Sequence, residues 1–161
     1  MMKTAVNVTW IVIPVNNVVT IRYDKKLNIT YVKTLNDKII EYNDKPFKVI
    51  SLWCLMNGST IEGRMDAFKS ILNIRQKCPI YVTSNCILIP SLSISNDECI
   101  YVNFHNIFDI KKADNKTKIT FINGKNETVD ISYHVMHKQM NRVSMYLKLL
   151  YKQKYLLGEG L

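Results

Sequence analysis

The first stretch whose residue types suit a chemical task covers residues 54–64, C-L-M-N-G-S-T-I-E-G-R. Ser59 and Thr60 supply hydroxyls, Arg64 supplies a fixed cation, and Gly63 lets a ligand or another backbone approach closely. Free N–H groups at a helix start, next to a serine and an arginine, suit the binding of a phosphate backbone. The stretch is therefore a candidate anion site.

The same stretch also has a purely structural interpretation. Asn57 and Gly58 would end one helix, and Ser59 with Glu62 would form a capping box at the start of the next. Because G-S-T-x-x-G-R matches no generic phosphate motif, the sequence alone favours this helix-turn-helix corner without excluding the anion site.

Catalysis and metal binding have little support. The four cysteines form no C-x-x-C pair and the three histidines lie far from them in sequence, so the spacing predicts no zinc site. His134 and His137 stand three apart, which suits a shared metal but is also typical of a polar helix start. No G-x-S-x-G, H-E-x-x-H or paired-carboxylate spacing occurs. We expect no enzyme activity, no catalytic residue and no cofactor.

Length and charge indicate the class of partner. The 161 residues suit one domain over 1–161, and 47% hydrophobic with 22% charged residues are typical of a globular chain. A net charge of +9 favours an acidic partner such as nucleic acid, although an AT-rich genome would also enrich lysine.

No apolar run is long enough to span a bilayer, and the apolar residues of the N-terminal run alternate as they do in a strand. We expect a cytoplasmic protein with reduced cysteines.

The elements before residue 78 are predicted from periodicity and turn residues. Residues 6–13, 18–23 and 29–34 form an antiparallel meander, and 36–45 a polar connection. A helix over Pro46–Met56 buries Phe47, Ile50, Cys54 and Leu55. In the helix that follows the corner, Phe68, Ile71 and Leu72 share a face, while three cations form a basic shoulder: Lys69, Arg75 and Lys77.

Two hairpins follow. Residues 78–83 and 86–89 turn at Ser84-Asn85, with Ile80 opposite Ile89, and Pro90 ends the pairing. Residues 117–122 and 125–131 turn at Asn123-Gly124. A three-residue loop with left-handed Gly124 is predicted there, because it places four apolar residues on one face: Ile119, Phe121, Val129 and Ile131.

Residues 132–155 form the longest helical pattern. Its buried stripe comprises Met136, Met140, Val143, Leu147 and Leu150. Its other face carries cations that include Arg142, and no acidic residue lies between Ser132 and Gly158. That face is a solvated surface, a nucleic-acid contact or a partner interface. Met145 and Leu149 fall among the cations and are weak candidates for an oligomer contact. The predicted fold is α+β, an antiparallel sheet or meander with a central helix-turn-helix corner and a long C-terminal helix.

An ordered set of motifs resembles the ComK family of competence transcription factors. The motifs are C-x-x-x-G-S-T-x-x-G-R at 54–64, P-I-x-V at 79–82, I-P-S-L-S at 89–93, D-E-C-I at 97–100, F-x-N-G-K from 121 and D-I-S-Y up to 133. Their order and spacing match over roughly 46–150. Each is weak alone, and the ordered set is specific.

The resemblance implies a sequence-specific DNA-binding activator of DNA-uptake and recombination genes. Such proteins recognise paired AT-rich boxes mainly from the minor groove, assemble as dimers and tetramers, and recruit RNA polymerase, which implies a nucleoid location. A-tracts attract arginine and lysine into a narrow minor groove. Charge and placement then select the candidate DNA-binding residues: Ser59, Thr60, Arg64, Lys69, Arg75, Lys77 and, in second place, Arg142.

The chain departs from the family in having Ile89 before Pro90 and Ile100-Tyr101 after Cys99, where members commonly have phenylalanine and tryptophan. It also stops without the longer C-terminal tail through which an adaptor captures members for proteolysis, so adaptor capture is left open. The alternative function is a non-enzymatic paralogue that modulates another regulator by heterodimerisation.

Overall fold

The structure, a computed structural model, describes residues 3–6, 13–156 and 158. A seven-stranded sheet has the order β1-β4-β3-β2-β7-β6-β5. Its strands are β1 Lys3–Val6, β2 Val18–Asp24, β3 Ile29–Thr34, β4 Ile39–Tyr42, β5 Ile80–Thr83, β6 Cys86–Pro90 and β7 Tyr101–Asn103. A second sheet, in the order β10-β9-β8, contains β8 Ile107–Ala113, β9 Lys116–Phe121 and β10 Asn126–Val129. The helices are α1 Pro46–Met56, α2 Ile61–Leu72 and α3 Tyr133–Leu156. The predicted α+β class is confirmed.

The N-terminal strands agree in part with the prediction. β2 pairs antiparallel with β3, and β3 with β4, although residues 36–45 had been assigned to a connection. β4 is only four residues long, so turn-forming neighbours obscured it in the sequence. β1 pairs with β4 in parallel, so the sheet is not wholly antiparallel. The strand predicted over 6–13 lies mostly outside the described residues, since 7–12 are not among them.

One face of the large sheet is covered by α1, whose bounds match the prediction. Its buried residues are Pro46, Val49, Ile50, Trp53 and Cys54. Phe47 and Leu55 are 39% and 60% exposed, so the predicted face was wrong by part of a turn. The buried residues of α1 recur three and four positions apart starting from Pro46, and not from Phe47.

The other face packs against the second sheet and α3. β6 is buried along its whole length because Leu88 contributes to the core under α1, whereas Ile87 and Ile89 contribute to the core under the second sheet. The β5–β6 hairpin forms at the predicted turn, but Ile80 pairs with Leu88 and not with Ile89. A β-bulge between Tyr81 and Thr83 shifts the register by one residue.

Pro90 lies beyond the last pair of the β5–β6 hairpin, Ile80 with Leu88, as predicted, and it is paired instead with β7. It stands opposite Tyr101 in the β6–β7 ladder, and the next residue, Ser91, donates its N–H to the Ile100 carbonyl at 2.9 Å. A proline is tolerated there because it ends the strand, where one missing N–H removes little of the ladder.

The hairpin between β9 and β10 has the predicted three-residue loop. Gly124 has φ of +81°, its N–H donates to the Phe121 carbonyl at 2.9 Å, and the Phe121 N–H donates to the Lys125 carbonyl at 2.9 Å. The four apolar residues predicted on one face are buried in one cluster: Ile119, Phe121, Val129 and Ile131. From the same hairpin, Glu127 forms ion pairs with Arg22 on β2 and Lys33 on β3, which fix the second sheet to the first.

Two buried asparagines hold the crossover between the sheets. Asn103 accepts the Ile87 N–H at 3.0 Å and donates to the Val18 carbonyl at 2.9 Å. Asn106 donates to the same Val18 carbonyl at 2.7 Å and to the Asn16 carbonyl at 2.8 Å. These side chains satisfy backbone groups where the chain leaves the large sheet, since strand pairing cannot do so there.

The long helix α3 packs its predicted stripe into the core under the second sheet. Met136 and Val143 are fully buried, and Met140, Leu147 and Leu150 are partly buried beside them. Tyr146 and Gln139 are also buried, which the apolar pattern did not predict. In the part of the chain that the structure describes, no helix has both the length and the apolar character needed to cross a bilayer.

Candidate nucleic-acid interface

The corner between α1 and α2 is closed by Thr60. Its hydroxyl accepts the Gly63 N–H at 2.9 Å, so Thr60 caps α2. The capping box predicted from Ser59 is therefore wrong by one residue, because α2 begins at Ile61 and the third helical residue is a glycine. Ser59 instead donates its hydroxyl to the Thr60 carbonyl at 3.3 Å. α1 ends at Met56, as predicted from Asn57 and Gly58, and Gly58 has a left-handed φ of +88°.

Gly63 is the residue around which the corner closes. A Cβ atom built there would lie 3.0 Å from Thr60 Oγ1 and 3.1 Å from Ser59 Oγ. Those separations are shorter than ordinary packing contacts, so the close approach predicted at Gly63 is made by the two hydroxyls of the corner itself.

Arg64 directs its guanidinium toward the protein. Nη2 donates to the Asn57 carbonyl, at the C-terminal end of α1, at 3.0 Å. Its Cζ lies 5.3 Å from the centroid of the Tyr81 ring on β5. Nε is buried with no hydrogen-bond partner among the described residues. Arg64 therefore connects α1, α2 and the edge strand β5.

The aromatic cluster beside Arg64 fixes α3 to α2 and β5. Phe68 stacks on Tyr146 with 4.2 Å between ring centroids, and Tyr81 meets Tyr146 edge-on at 6.0 Å. Burial raises the pKa of Tyr146, with a further increase from Tyr81 and an opposing effect of Arg64. The phenol thus stays neutral inside the cluster.

Other predicted cations meet around Cys78. Gln139 of α3 donates to the Lys77 carbonyl at 2.7 Å, and Arg142 Nη1 donates to Gln139 Oε1 at 3.1 Å. Burial raises the pKa of the Cys78 thiol to about 11, while the positive charges of Lys69 and Arg142 oppose the shift. The segment after α2 is thereby joined to α3, with several cations at the joint.

A groove lies next to this joint, between the end of α2 and α3. One wall is formed by Leu72, Asn73 and Ile74, where Asn73 ends α2 at φ of +52°. The other wall belongs to α3 and carries His134, His137, Lys138, Asn141, Arg142 and Met145. Its volume is about 470 Å³. We call it the basic groove, because its charged residues are cations.

The predicted site residues thus separate into two groups. Ser59, Thr60 and Arg64 lie at the N-terminal end of α2, in contacts that shape the corner. The second group lies toward the other end of α2 and on α3, around Cys78 and the basic groove: Lys69, Arg75, Lys77 and Arg142. Arg75 is exposed on the segment between α2 and β5. Among the described residues, none of this second group forms a salt bridge with a carboxylate.

The candidate oligomer contacts belong to the same surface. Met145 is 48% exposed and lines the basic groove, and Leu149 is half-buried one turn further along α3. The sequence pattern selects Arg142 as a candidate, but it does not predict that the C-terminal end of α2 lies next to α3. The feature of the sequence that points to this surface is the face of α3, whose charged residues are all cations.

The cysteines and acidic residues form no metal-binding arrangement in the described ranges. No group of three His, Cys, Asp or Glu side chains is close enough there to hold an ion. All four thiols are free and buried, and burial raises the pKa of Cys54 to about 11.

Comparison with known proteins places the chain in a family. The family model described as ComK protein matches residues 9–155. The chain belongs to the ComK family. It is 28% identical to the competence transcription factor of Bacillus subtilis (strain 168) over 111 residues, which are 67% of this chain and 58% of that protein. The chain therefore spans less than two thirds of the length of this ComK relative. No solved structure matches it significantly.

In this ComK chain, the motif C-x-x-x-G-S-T-x-x-G-R forms the corner between α1 and α2. Its cysteine belongs to α1 and is buried in the core beneath that helix, and its threonine caps α2. Its second glycine makes room for the hydroxyls, and its arginine spans the corner to Tyr81.

Proposed function

We propose that this chain is a DNA-binding transcription factor that activates competence genes, and that the basic groove with its flanking cations contacts the DNA. The observation that carries the proposal is the concentration there of cations that form no salt bridge with a carboxylate in the described part of the chain: Lys69, Arg75, Lys77, Lys138 and Arg142. Cations that have no carboxylate partner are free to neutralise phosphates. The name of the Bacillus subtilis relative supports the same function.

Within this proposal the two groups of residues have different roles. Lys69, Arg75, Lys77 and Arg142, together with Lys138, contact phosphates or enter a narrow minor groove, where A-tracts concentrate negative potential. Ser59, Thr60 and Arg64 support them by fixing the corner from which α2 extends, since the Ser59 hydroxyl, the Thr60 hydroxyl and Arg64 Nη2 each form a hydrogen bond within the protein.

The alternative is a non-enzymatic interaction module that modulates another regulator by heterodimerisation and has little DNA affinity of its own. A symmetric contact between two copies of α3 through its cation-bearing face would oppose Lys138, Arg142 and Lys148 with the same cations of the partner. Like charges brought together disfavour such a contact. The charges therefore disfavour a homodimer through Met145 and Leu149, whereas undetectable DNA binding by the native chain would favour the heterodimer.

A fluorescence-anisotropy titration of AT-rich and GC-rich duplexes tests the proposal. Five phosphate contacts give a slope of about −4.5 in log affinity against log salt, or a loss of roughly 500-fold between 50 and 200 mM. We expect AT-rich duplex to bind more tightly. Arg75→Glu should weaken binding strongly, whereas Lys26→Glu, which makes the same charge change in the turn after β2, should have little effect. Undetectable or salt-insensitive binding of the native chain would refute the proposal.

A further inference from the structure

The outward face of the three-stranded sheet carries a second set of cations. The inward face of this sheet is buried through Ile119, Phe121 and Val129. On the outward face, Lys111 of β8 stands directly opposite Lys118 of the central strand β9. Both are exposed, as is Lys116.

Asp109, which pairs with Thr120, lies on the same outward face, but the described part of the chain shows no ion pair between it and these lysines. None of Lys111, Lys116 and Lys118 forms an ion pair or a side-chain hydrogen bond within the described part of the chain. Like charges directly opposite each other across two strands destabilise a sheet. A pair of like charges that lowers the stability of the fold, as Lys111 and Lys118 do, is typical of a surface that binds a ligand.

The same face presents an exposed aromatic ring at one end. Phe108 is 76% exposed, and the register shift between Ile107 and Asp109 makes it the extra residue of a β-bulge opposite Thr120. Bulges turn a side chain away from the regular alternation. Ile107 pairs with Phe121, and Ile122 is the next residue after Phe121. Ile122, which is 53% exposed, therefore lies at the same end of the β8–β9 hairpin as Phe108.

Cations beside an exposed aromatic residue suit a nucleic acid. Phosphates pair with the lysines, and an aromatic or aliphatic side chain can insert between base steps of a duplex from the minor groove. A second copy of this chain is a poor occupant, since face-to-face contact would place lysine against lysine.

We propose that the outward face of the three-stranded sheet is a second DNA-contacting surface, in which Lys111, Lys116 and Lys118 hold phosphates and Phe108 inserts between base pairs. The inference rests on the proposed DNA-binding function. None of the residues that line the basic groove belongs to this sheet, so the two surfaces are separate. Insertion of Phe108 between base pairs would kink the duplex.

The test compares two variants with matched controls on a long AT-rich duplex. Phe108→Ala should lower affinity about tenfold and reduce the bend measured by energy transfer between the duplex ends. Leu27→Ala, which removes another exposed apolar side chain, should change neither the affinity nor the bend. Lys111→Gln with Lys118→Gln should reduce the salt slope by about 2, whereas Lys26→Gln with Lys152→Gln should leave it unchanged. Circular dichroism establishes that each variant is folded.

The outcomes separate this inference from the proposed function. If the native chain binds no DNA, both are wrong. If it binds, and the Phe108 and lysine variants keep native affinity, bend and salt slope, only the second surface is refuted. If those variants bind DNA normally but fail to activate transcription in a reconstituted reaction with RNA polymerase, the face docks a protein and the inference is also overturned.

Discussion

The guanidinium of Arg64 lies over the ring of Tyr81, 5.3 Å from its centroid, although the two residues belong to different elements, α2 and β5. One of its nitrogens also donates to the last turn of α1 through the Asn57 carbonyl. An arginine that sequence alone would place against DNA is therefore oriented by the protein.

We expect Arg64→Lys to lower the free energy of unfolding by about 1–2 kcal/mol, because lysine keeps the charge but loses the planar contact with Tyr81. Urea denaturation measures this loss. The affinity of the folded variant for DNA should change less than about twofold. A large loss of affinity at unchanged stability would instead make Arg64 a DNA contact.

At Gly63 we expect the effect of alanine to depend on its neighbours. In the native chain, the new Cβ displaces the Thr60 cap, so Gly63→Ala should be neutral or destabilising despite the better helix propensity of alanine. In a chain that also carries Ser59→Ala and Thr60→Ala, the same substitution should stabilise by about 1 kcal/mol, because no capping hydroxyl remains to displace. Thermal unfolding of the four members of this cycle gives the coupling energy. Equal effects of alanine in both backgrounds would show that the hydroxyls do not require glycine.

Local sequence is sufficient to predict some features of this fold and insufficient for others. The bounds of α1 were predictable because Pro46 and Gly58 act on their immediate neighbours, and Asn123-Gly124 fixed its hairpin for the same reason. The register of the β5–β6 hairpin was not predictable from local sequence, because a β-bulge inserts one residue without changing the turn. The direction of Arg64 depends on Tyr81, and the basic groove requires residues 72–74 to meet residues 134–145. Contacts between distant segments of this kind leave no local pattern.

The buried thiols should make stability fall at alkaline pH. Burial raises the pKa of Cys54 and of Cys78 to about 11 from an ordinary 9.0. Because the folded pKa is the higher one, this contribution is fully present below pH 9 and is lost as pH rises toward 11. Each thiol adds at most about 1.4 kcal/mol per pH unit to the decline. Cys54→Ala should lower stability at neutral pH by leaving a cavity, yet flatten the decline above pH 9 in urea titrations. An unchanged slope would mean that this thiol does not govern the decline.

Two lysines of α3 provide the sharpest test of the basic groove. Lys138 lines the groove, and Lys152 is exposed fourteen residues later, about 21 Å further along the same helix. Lys138→Gln removes one phosphate contact, so the salt slope should fall by about 0.9 and affinity should fall several-fold at low salt. Lys152→Gln makes the same charge change on the same helix and should leave the slope unaltered. Because both side chains are exposed, neither variant should alter the unfolding free energy by more than about 0.5 kcal/mol. Equal losses of affinity in the two variants would mean that net charge, and not the groove, determines DNA binding.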